Sequence, residues 1–373
     1  MLMDTELLHK VALSMMPHVD AAVARVMSES GVSPSAFFTL EPRELSSRLG
    51  LTLKFDSACR DEAMFKARRE LDFMERHSVR ALYLYDDDYP FLLREIPDAP
   101  VLLYVLGNTD LNAHPVLSLV GTRRCTPYGV GFCRSLVSDL APYLPSAMVI
   151  SGLAYGIDAA AHTAALENGL VTVAVLAHGL DMIYPAAHRD LARRILSSGG
   201  ALVSEYPVGT RPFQGRFLQR NRIVAGMSEV TFVAESEVKG GAMSTANQAF
   251  SYSREVVALP GRVSDVSSSG CNLLIARNKA HIFTSVPDVM ELMGWKPEIM
   301  GHQVQVGSPR LFPELEGDAA KVFQCLQASG CPMSVDEIHV ATSLSVPSLM
   351  ASLTELEFDG IIVRLPGARY ELA

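Results

Sequence analysis

Leu117-Ser118-Leu119-Val120-Gly121-Thr122-Arg123-Arg124-Cys125-Thr126-Pro127-Tyr128-Gly129 decides how the rest of the chain is read. Leu117 to Val120 has the composition of a buried strand, the chain turns at Gly121, and a helical pattern begins near Gly129. A strand that ends in glycine and opens into a helix presents backbone N–H groups and the positive end of a helix dipole, which suits a phosphate. Arg123 and Arg124 strengthen that reading, because guanidinium groups fork onto phosphate oxygens. Alone, the motif is common in α/β proteins and specifies no ligand.

Downstream, the same alternation repeats as far as about residue 286. The strand candidates are Leu117–Val120, Met148–Ile150, Thr172–Ala177, Leu202–Ser204, Val230–Ala234 and Val256–Leu259. Helical patterns fall over Gly131–Leu144, Ile157–Asn168, Ala187–Leu196, Leu218–Gly226 and Met243–Ser253. Apolar strands alternating with helices predict a doubly wound α/β fold. Its sheet is mostly parallel and covered on both faces, and ligands sit outside the carboxyl ends of the strands. Upstream, residues 1–78 read as helical, and Asp61–His77 as a charged, solvated connector. Ala81–Gly107 reads as an extended lead-in ending in a strand over Val101–Leu106. Residues 296–315, rich in Pro, Gly and polar residues, read as a linker. In 316–373 a helix over Ala319–Ala328 is followed by a capping box at Ser334 and Glu337. A third helix starts near Pro347, and a hairpin spans Ile361–Leu365 and Tyr370–Leu372. Three helices and a hairpin make a winged helix. The expected domains are therefore 1–78, 79–295 and 316–373, with the linker between the last two.

The chain has 373 residues and a net charge of −9, which argues against a protein that coats nucleic acid non-specifically but leaves room for a local basic site. None of the six cysteines forms a C-x-x-C pair, no secretory signal pattern opens the chain, and no apolar run is long enough to span a bilayer. Free thiols in a cytoplasmic protein, with no membrane contact, are the expectation. P-loop, G-x-G-x-x-G, H-E-x-x-H and G-x-S-x-G motifs are absent, so no metal, cofactor or catalytic residue is expected.

Three further segments surround the opening loop with anion-binding chemistry. The second strand ends in Ser151-Gly152-Leu153-Ala154-Tyr155-Gly156-Ile157-Asp158, whose glycines let a backbone approach a ligand closely. Asp158 and His162 lie four apart on one helix face, either as a polar pair beside the loop or as a capping carboxylate and a locally satisfied histidine. Tyr206–Ser228 holds Arg211, Arg216, Arg220 and Arg222 and no acid, with Phe213 and Phe217 interleaved. Arginine for phosphate and aromatic for base is the composition of single-strand binders, although Phe213 also suits a core. Arg220-Asn221-Arg222 is read at a helix start. Finally, Lys239-Gly240-Gly241-Ala242-Met243-Ser244-Thr245 is another glycine turn into a helix.

Taken in order, these residues resemble the DNA-processing protein A family, DprA or Smf. Matching pieces include Tyr89-Pro90, Val120-Gly121-Thr122-Arg123, Ser151-Gly152-Leu153-Ala154 with Gly156-Ile157-Asp158 and His162, Tyr184-Pro185, and Ser204-Glu205. Arg220-Asn221-Arg222-Ile223, Gly240-Gly241 with Thr245-Ala246, and Pro260-Gly261 continue the series. The resemblance implies an extended Rossmann domain that binds single-stranded DNA, dimerises, helps load the RecA recombinase in natural transformation and performs no catalysis. The flanking parts would be an N-terminal helical domain of SAM or helix-hairpin-helix type and the winged helix. Gly121, Thr122 and Arg123 would hold phosphate.

The tail carries its own sign. Residues 311–373 hold three basic residues against nine acidic ones, and the would-be recognition helix over Pro347–Phe358 has two glutamates and no base. Reading a duplex groove requires phosphate neutralisation, so this domain is expected to contact protein or to regulate. The alternative function is a nucleotide hydrolase of the Rossmann type, whose P-G-G-x-G-T-x-x-E loop resembles Gly240–Gln248. Here Gln248 stands where a carboxylate would be needed.

Overall fold

The computed structural model describes residues 5–52, 56–298, 317–329, 333–358, 361–365 and 369–372. They divide into two units at residues 298/299, each described by itself. In the first, the apolar runs become β1 (Val79–Tyr83), β2 (Leu102–Leu106), β3 (Val116–Val120), β4 (Met148–Ser151), β5 (Val171–Leu176), β6 (Ala201–Ser204), β7 (Val230–Val233), β8 (Glu255–Ala258) and β9 (His281–Ile282). They form one sheet in the order β1-β2-β6-β5-β4-β3-β7-β8-β9. Only the β1–β2 and β2–β6 pairs are antiparallel. β3 lies inside the sheet, with Leu117 level with Val149 on one side and Val230 on the other. Such strands are buried on both faces, which is why their sequences are predominantly apolar, with Ser118, Thr172 and Thr231 as buried polar exceptions.

The helices of this unit are α1 (Thr5–Ser14), α2 (Ala21–Glu29), α3 (Pro34–Thr39), α4 (Pro42–Leu49), α5 (Ser57–His77), α6 (Phe91–Arg94), α7 (Pro127–Leu140), α8 (Ile157–Glu167), α9 (Arg189–Ser197), α10 (Gln214–Gly226), α11 (Gly241–Ser251), α12 (Ser269–Ala276) and α13 (Val286–Met293). The lead-in expected over Ala81–Gly107 overlaps β1, which starts at Val79, and contains α6 as well as its final strand. α5 is not a solvated connector. Ala63, Ala67 and Met74 are buried with Glu70 among them, and the glutamate hid the stripe by interrupting it. Leu8, Val11, Leu13, Phe37 and Leu45 of the N-terminal helices share one continuous core with Leu103, Val105 and Val203 of the sheet.

α10 starts at Gln214, four residues before the apolar pattern begins, so Arg220-Asn221-Arg222 lies in mid-helix rather than at its start. Gly215, Arg216 and the partly exposed Phe217 gave that first turn no apolar periodicity to read.

The second unit contains α14 (Gly317–Ser329), α15 (Val335–Thr342) and α16 (Val346–Phe358), with β10 (Met333–Ser334), β11 (Ile362–Leu365) and β12 (Arg369–Leu372) in the order β10-β12-β11. The capping box forms: Ser334 accepts from the Glu337 N–H and Glu337 accepts from the Ser334 N–H. Val322, Leu326, Ile338, Leu349, Leu353 and Tyr370 make its core. The winged-helix arrangement is therefore present. The expected linker lies outside the described residues from 299 onward, as do Cys331 and the Pro366-Gly367 turn. Among the described residues no helix is long and apolar enough to cross a membrane.

Candidate nucleic-acid interface

From β3 the chain steps through β4, β5 and β6 on one side of the sheet, then returns to place β7 and β8 on the other. The connections diverge beside β3, and an open α/β sheet offers its crevice at such a switch point. A groove of about 940 Å³ lies there. Its floor is the carboxyl ends of β3, β4 and β7, and its wall is α10. Gly121, Thr122, Arg123, Arg124, Gly152, Ala154, Asp158, Phe217, Arg220, Asn221, Lys239, Gly240, Gly241 and Thr245 line it.

Backbone bonds join the floor loops. Thr122 N–H donates to the Glu235 carbonyl at 2.7 Å, and Ile157 N–H donates to the Thr122 carbonyl at 3.2 Å. Gly156 sits at φ 79°, where a side chain would run into the backbone of Thr122 and Arg123. Its role is this close crossing, and it does not line the groove. The N-terminus of α7, the anion site suggested by the opening motif, is already occupied. The buried Glu235 carboxylate accepts from Thr126 N–H at 2.8 Å and from Thr126 Oγ1 at 2.5 Å. That end of the helix meets a carboxylate of the protein itself. By contrast α11 begins at Gly241 with no side chain among the described residues capping it, and Gly240, Gly241 and Ala242 open onto the groove.

The four arginines of the acid-free segment part company. Arg220 is buried, and its guanidinium lies against Gly152, where a Cβ would displace it. It donates to the Gly152 carbonyl at 2.7 Å and to the Val175 carbonyl, bracing the ends of β4 and β5. Arg222 turns to the other side of α10. It pairs with Glu205 at 2.6 Å and Asp98 at 3.7 Å in a separate cavity, so it is no part of the groove. Successive helix positions i and i+2 do not share a face, which separates the two. Arg216 lies over the Tyr206 ring at 5.6 Å and donates to the Arg211 carbonyl at 2.6 Å, beside the groove rather than in it.

The exposed cations of the groove are Arg123, Arg124 and Lys239, and among the described residues none has an ion-pair partner. Arg123 lies over the Phe217 ring at 5.1 Å, and Tyr184 meets Phe217 with centroids 5.8 Å apart. Phe213 also lines the groove and is 66% exposed, so it is no core residue. Tyr184 and Glu237 were missed as lining residues. The Tyr184-Pro185 motif was the available signal for the first, while an exposed glutamate after a strand carries none.

Ser151 and Ser244 are also not lining residues; Ser151 is buried and donates to the Leu119 carbonyl at 2.6 Å. Asp158 and His162 do not pair. Asp158 accepts from the Ala154 N–H at 3.2 Å, and His162 Nδ1 shares a hydrogen bond with Thr172 Oγ1 at 2.7 Å. Burial pushes the His162 pKa down to about 3, with the Arg220 charge adding to the effect. Burial likewise pushes the Asp158 carboxyl up, opposed by Arg220. Gln248, the position required for hydrolase chemistry, does not line the groove. Among the described residues no group of three or more His, Cys, Asp and Glu could hold a metal ion.

A family model described as DNA recombination-mediator protein A matches residues 80–294, and one described as DprA winged helix domain matches residues 307–368. Protein Smf of Synechocystis sp. is 34% identical over 333 residues, which cover 80% of this chain and 82% of that protein. The X-ray structure of DNA processing protein A from Streptococcus pneumoniae aligns with a TM-score of 0.63 at 32% identity, covering 75% of this chain and 95% of that one. DNA processing protein A from Helicobacter pylori, solved for its single-stranded DNA binding mode, aligns with a TM-score of 0.51 at 29% identity. That match covers 58% of this chain and 95% of that one.

Proposed function

The chain belongs to the DNA recombination-mediator protein A family, and from that membership we propose that its groove binds single-stranded DNA and that the protein helps load RecA recombinase onto the strand during natural transformation. The observation that carries this reading is the exposed, unpaired Arg123 stacked on Phe217, with Tyr184 and Phe213 beside it. A cation and a row of aromatic faces suit phosphates and unstacked bases together. The open N-terminus of α11, with Lys239 next to it, supplies a second phosphate position on the opposite wall. The Helicobacter pylori relative binds single-stranded DNA, which supports the same use here.

The protein acts without catalysis in this reading. The groove's carboxylates are Asp158, buried and bonded to the loop backbone, and Glu237 on the rim; the Ser151 hydroxyl beside Asp158 is buried, donates to the Leu119 carbonyl and does not line the groove. The family description as a recombination mediator supports RecA as the partner in the cytoplasm. The Rossmann domain is also the proposed dimer interface. Ile282 on edge strand β9 and Leu292 on α13 expose apolar surface there. In the winged helix, Glu355 and Glu357 are exposed on α16, so this domain is assigned to protein contacts or regulation rather than duplex reading.

Fluorescence anisotropy with a labelled single strand and the matching duplex, at two salt concentrations, tests the assignment. The single strand should bind more tightly, with affinity falling as salt rises. Equal affinity for both forms, or no salt dependence, would remove the groove as the site.

A further inference from the structure

The wall of the groove is held in place from the N-terminal helices. Between β6 and α10 the chain runs through residues 205–213, and Phe213 at its end enters the groove lining. Two carboxylates hold the backbone of this loop. Val208 N–H donates to both oxygens of Glu70, at 3.1 and 3.0 Å, and Gly209 N–H donates to Asp181 at 3.1 Å. Tyr206 then closes the loop onto α10 through its hydroxyl, 3.0 Å from Gln219. Glu70 comes from α5, among the N-terminal helices, and is 5% exposed.

Burial pushes the Glu70 pKa up to about 7, and the neighbouring Asp181 charge adds to the shift. Asp181 and the buried Tyr104 phenol are the titratable groups that face it, and neither supplies a positive charge. The native state therefore holds the proton more tightly than the unfolded chain does. The contribution of Glu70 to stability is greatest at low pH and falls as pH rises from about 4.5 to about 7. At pH 8 the ionised side chain stabilises the fold less than the protonated one does, while gripping Val208 most strongly, because a charged acceptor makes the stronger hydrogen bond.

We propose that Glu70 is a positioning residue for the groove: by fixing the backbone at Val208 it sets the wall carrying Phe213 and Phe217, so the N-terminal helices tune strand binding without forming the contact surface. This rests on the groove being the single-strand site.

The test uses the full-length protein with Glu70→Ala, Glu70→Asp and Glu70→Gln. The probe is an oligothymidylate carrying one 2-aminopurine, read at pH 8 well below the melting temperature. Glu70→Ala should weaken binding about tenfold and lose the emission change caused by stacking on the aromatic wall. Its salt slope should stay near wild type, because Arg123, Arg124 and Lys239 remain. Glu70→Asp, too short to reach Val208, should behave similarly even where the alanine variant folds poorly. Glu70→Gln keeps an acceptor oxygen for Val208 and should restore both affinity and emission change, while removing the fall in stability between pH 4.5 and 7. Folded alanine and aspartate variants with wild-type affinity and emission would overturn the assignment. Arg123→Ala separates the two readings. If it weakens binding while the Glu70 variants do not, only Glu70 is misassigned. If it too has no effect, the groove itself is wrong.

Discussion

The β3–α7 and β7–α11 connections look alike in sequence and differ in what they can hold. Each leaves an apolar strand through glycine and hydroxyl residues into a helix, and each carries an exposed cation, Arg123 or Lys239. At α7 the Glu235 carboxylate occupies the helix start, bonded to Thr126. At α11 no side chain among the described residues caps the helix, and Gly240 and Gly241 face the groove. The same local motif thus gives a sealed end and an open one. The difference comes from a residue 109 positions away in the chain. A helix N-terminus binds an external anion only where the protein has not supplied its own. On the β3 side, then, anion binding falls to the Arg123 side chain and the backbone of the turn, while on the β7 side the helix end itself contributes.

The comparison depends first on Arg220, which fixes the distance between the loops. Arg220→Ala would leave the Gly152 and Val175 carbonyls without their donor and the buried Asp158 without its neighbouring positive charge. Loss of one member of a buried charged network typically costs 3–5 kcal/mol. Denaturant unfolding should show a drop of about that size, and an unchanged midpoint would mean the brace is dispensable. Glu235→Ala comes next. Removing this cap should cost about 2 kcal/mol by the same measurement while leaving single-strand affinity intact. A stronger affinity for the strand in this variant would show that the two helix ends become interchangeable once the plug is gone. Third in size is Arg123→Ala. With no ion pair to lose, the protein should keep its stability and weaken binding about tenfold, or about 1.4 kcal/mol, for every strand sequence. A loss confined to particular base sequences would show that Arg123 reads bases rather than phosphates.

What the sequence discloses follows from how local each determinant is. β2 to β8 could be placed within a residue or two because a strand buried on both faces is predominantly apolar, while β1, interrupted by Arg80, and the two-residue, exposed β9 carry no such signal. Arg123, Lys239 and the two glycines of α11 were legible because a turn and a cation are neighbours in the chain. Arg222 was misplaced because its neighbour Arg220 shares its chemistry but not its face; only the start of α10 fixes which of the two points inward. The seal on α7 was invisible, since Glu235 follows a strand like any exposed acid and reaches Thr126 only after β3 and β7 pair. Glu70 was hidden for a related reason, a buried acid inside a helix whose other residues look solvated.

Lys239→Ala is the smallest and sharpest test of the two ends. The side chain is exposed, lines the groove and has no ion-pair partner among the described residues. Stability should therefore stay within about 0.5 kcal/mol of wild type. If Lys239 neutralises one phosphate, the slope of log affinity against log salt should become shallower by about 0.7. The loss of affinity at moderate salt should be only a few fold, less than for Arg123→Ala, because the α11 end still presents its backbone N–H groups and dipole to that phosphate. At the β3 side the helix end offers no such reserve, since Glu235 holds it, and only Arg124 and the turn backbone remain. The ratio of the two losses thus measures what an open helix terminus contributes. Equal losses would mean that the terminus adds nothing and that the side-chain cations, Arg123, Arg124 and Lys239, carry the charge.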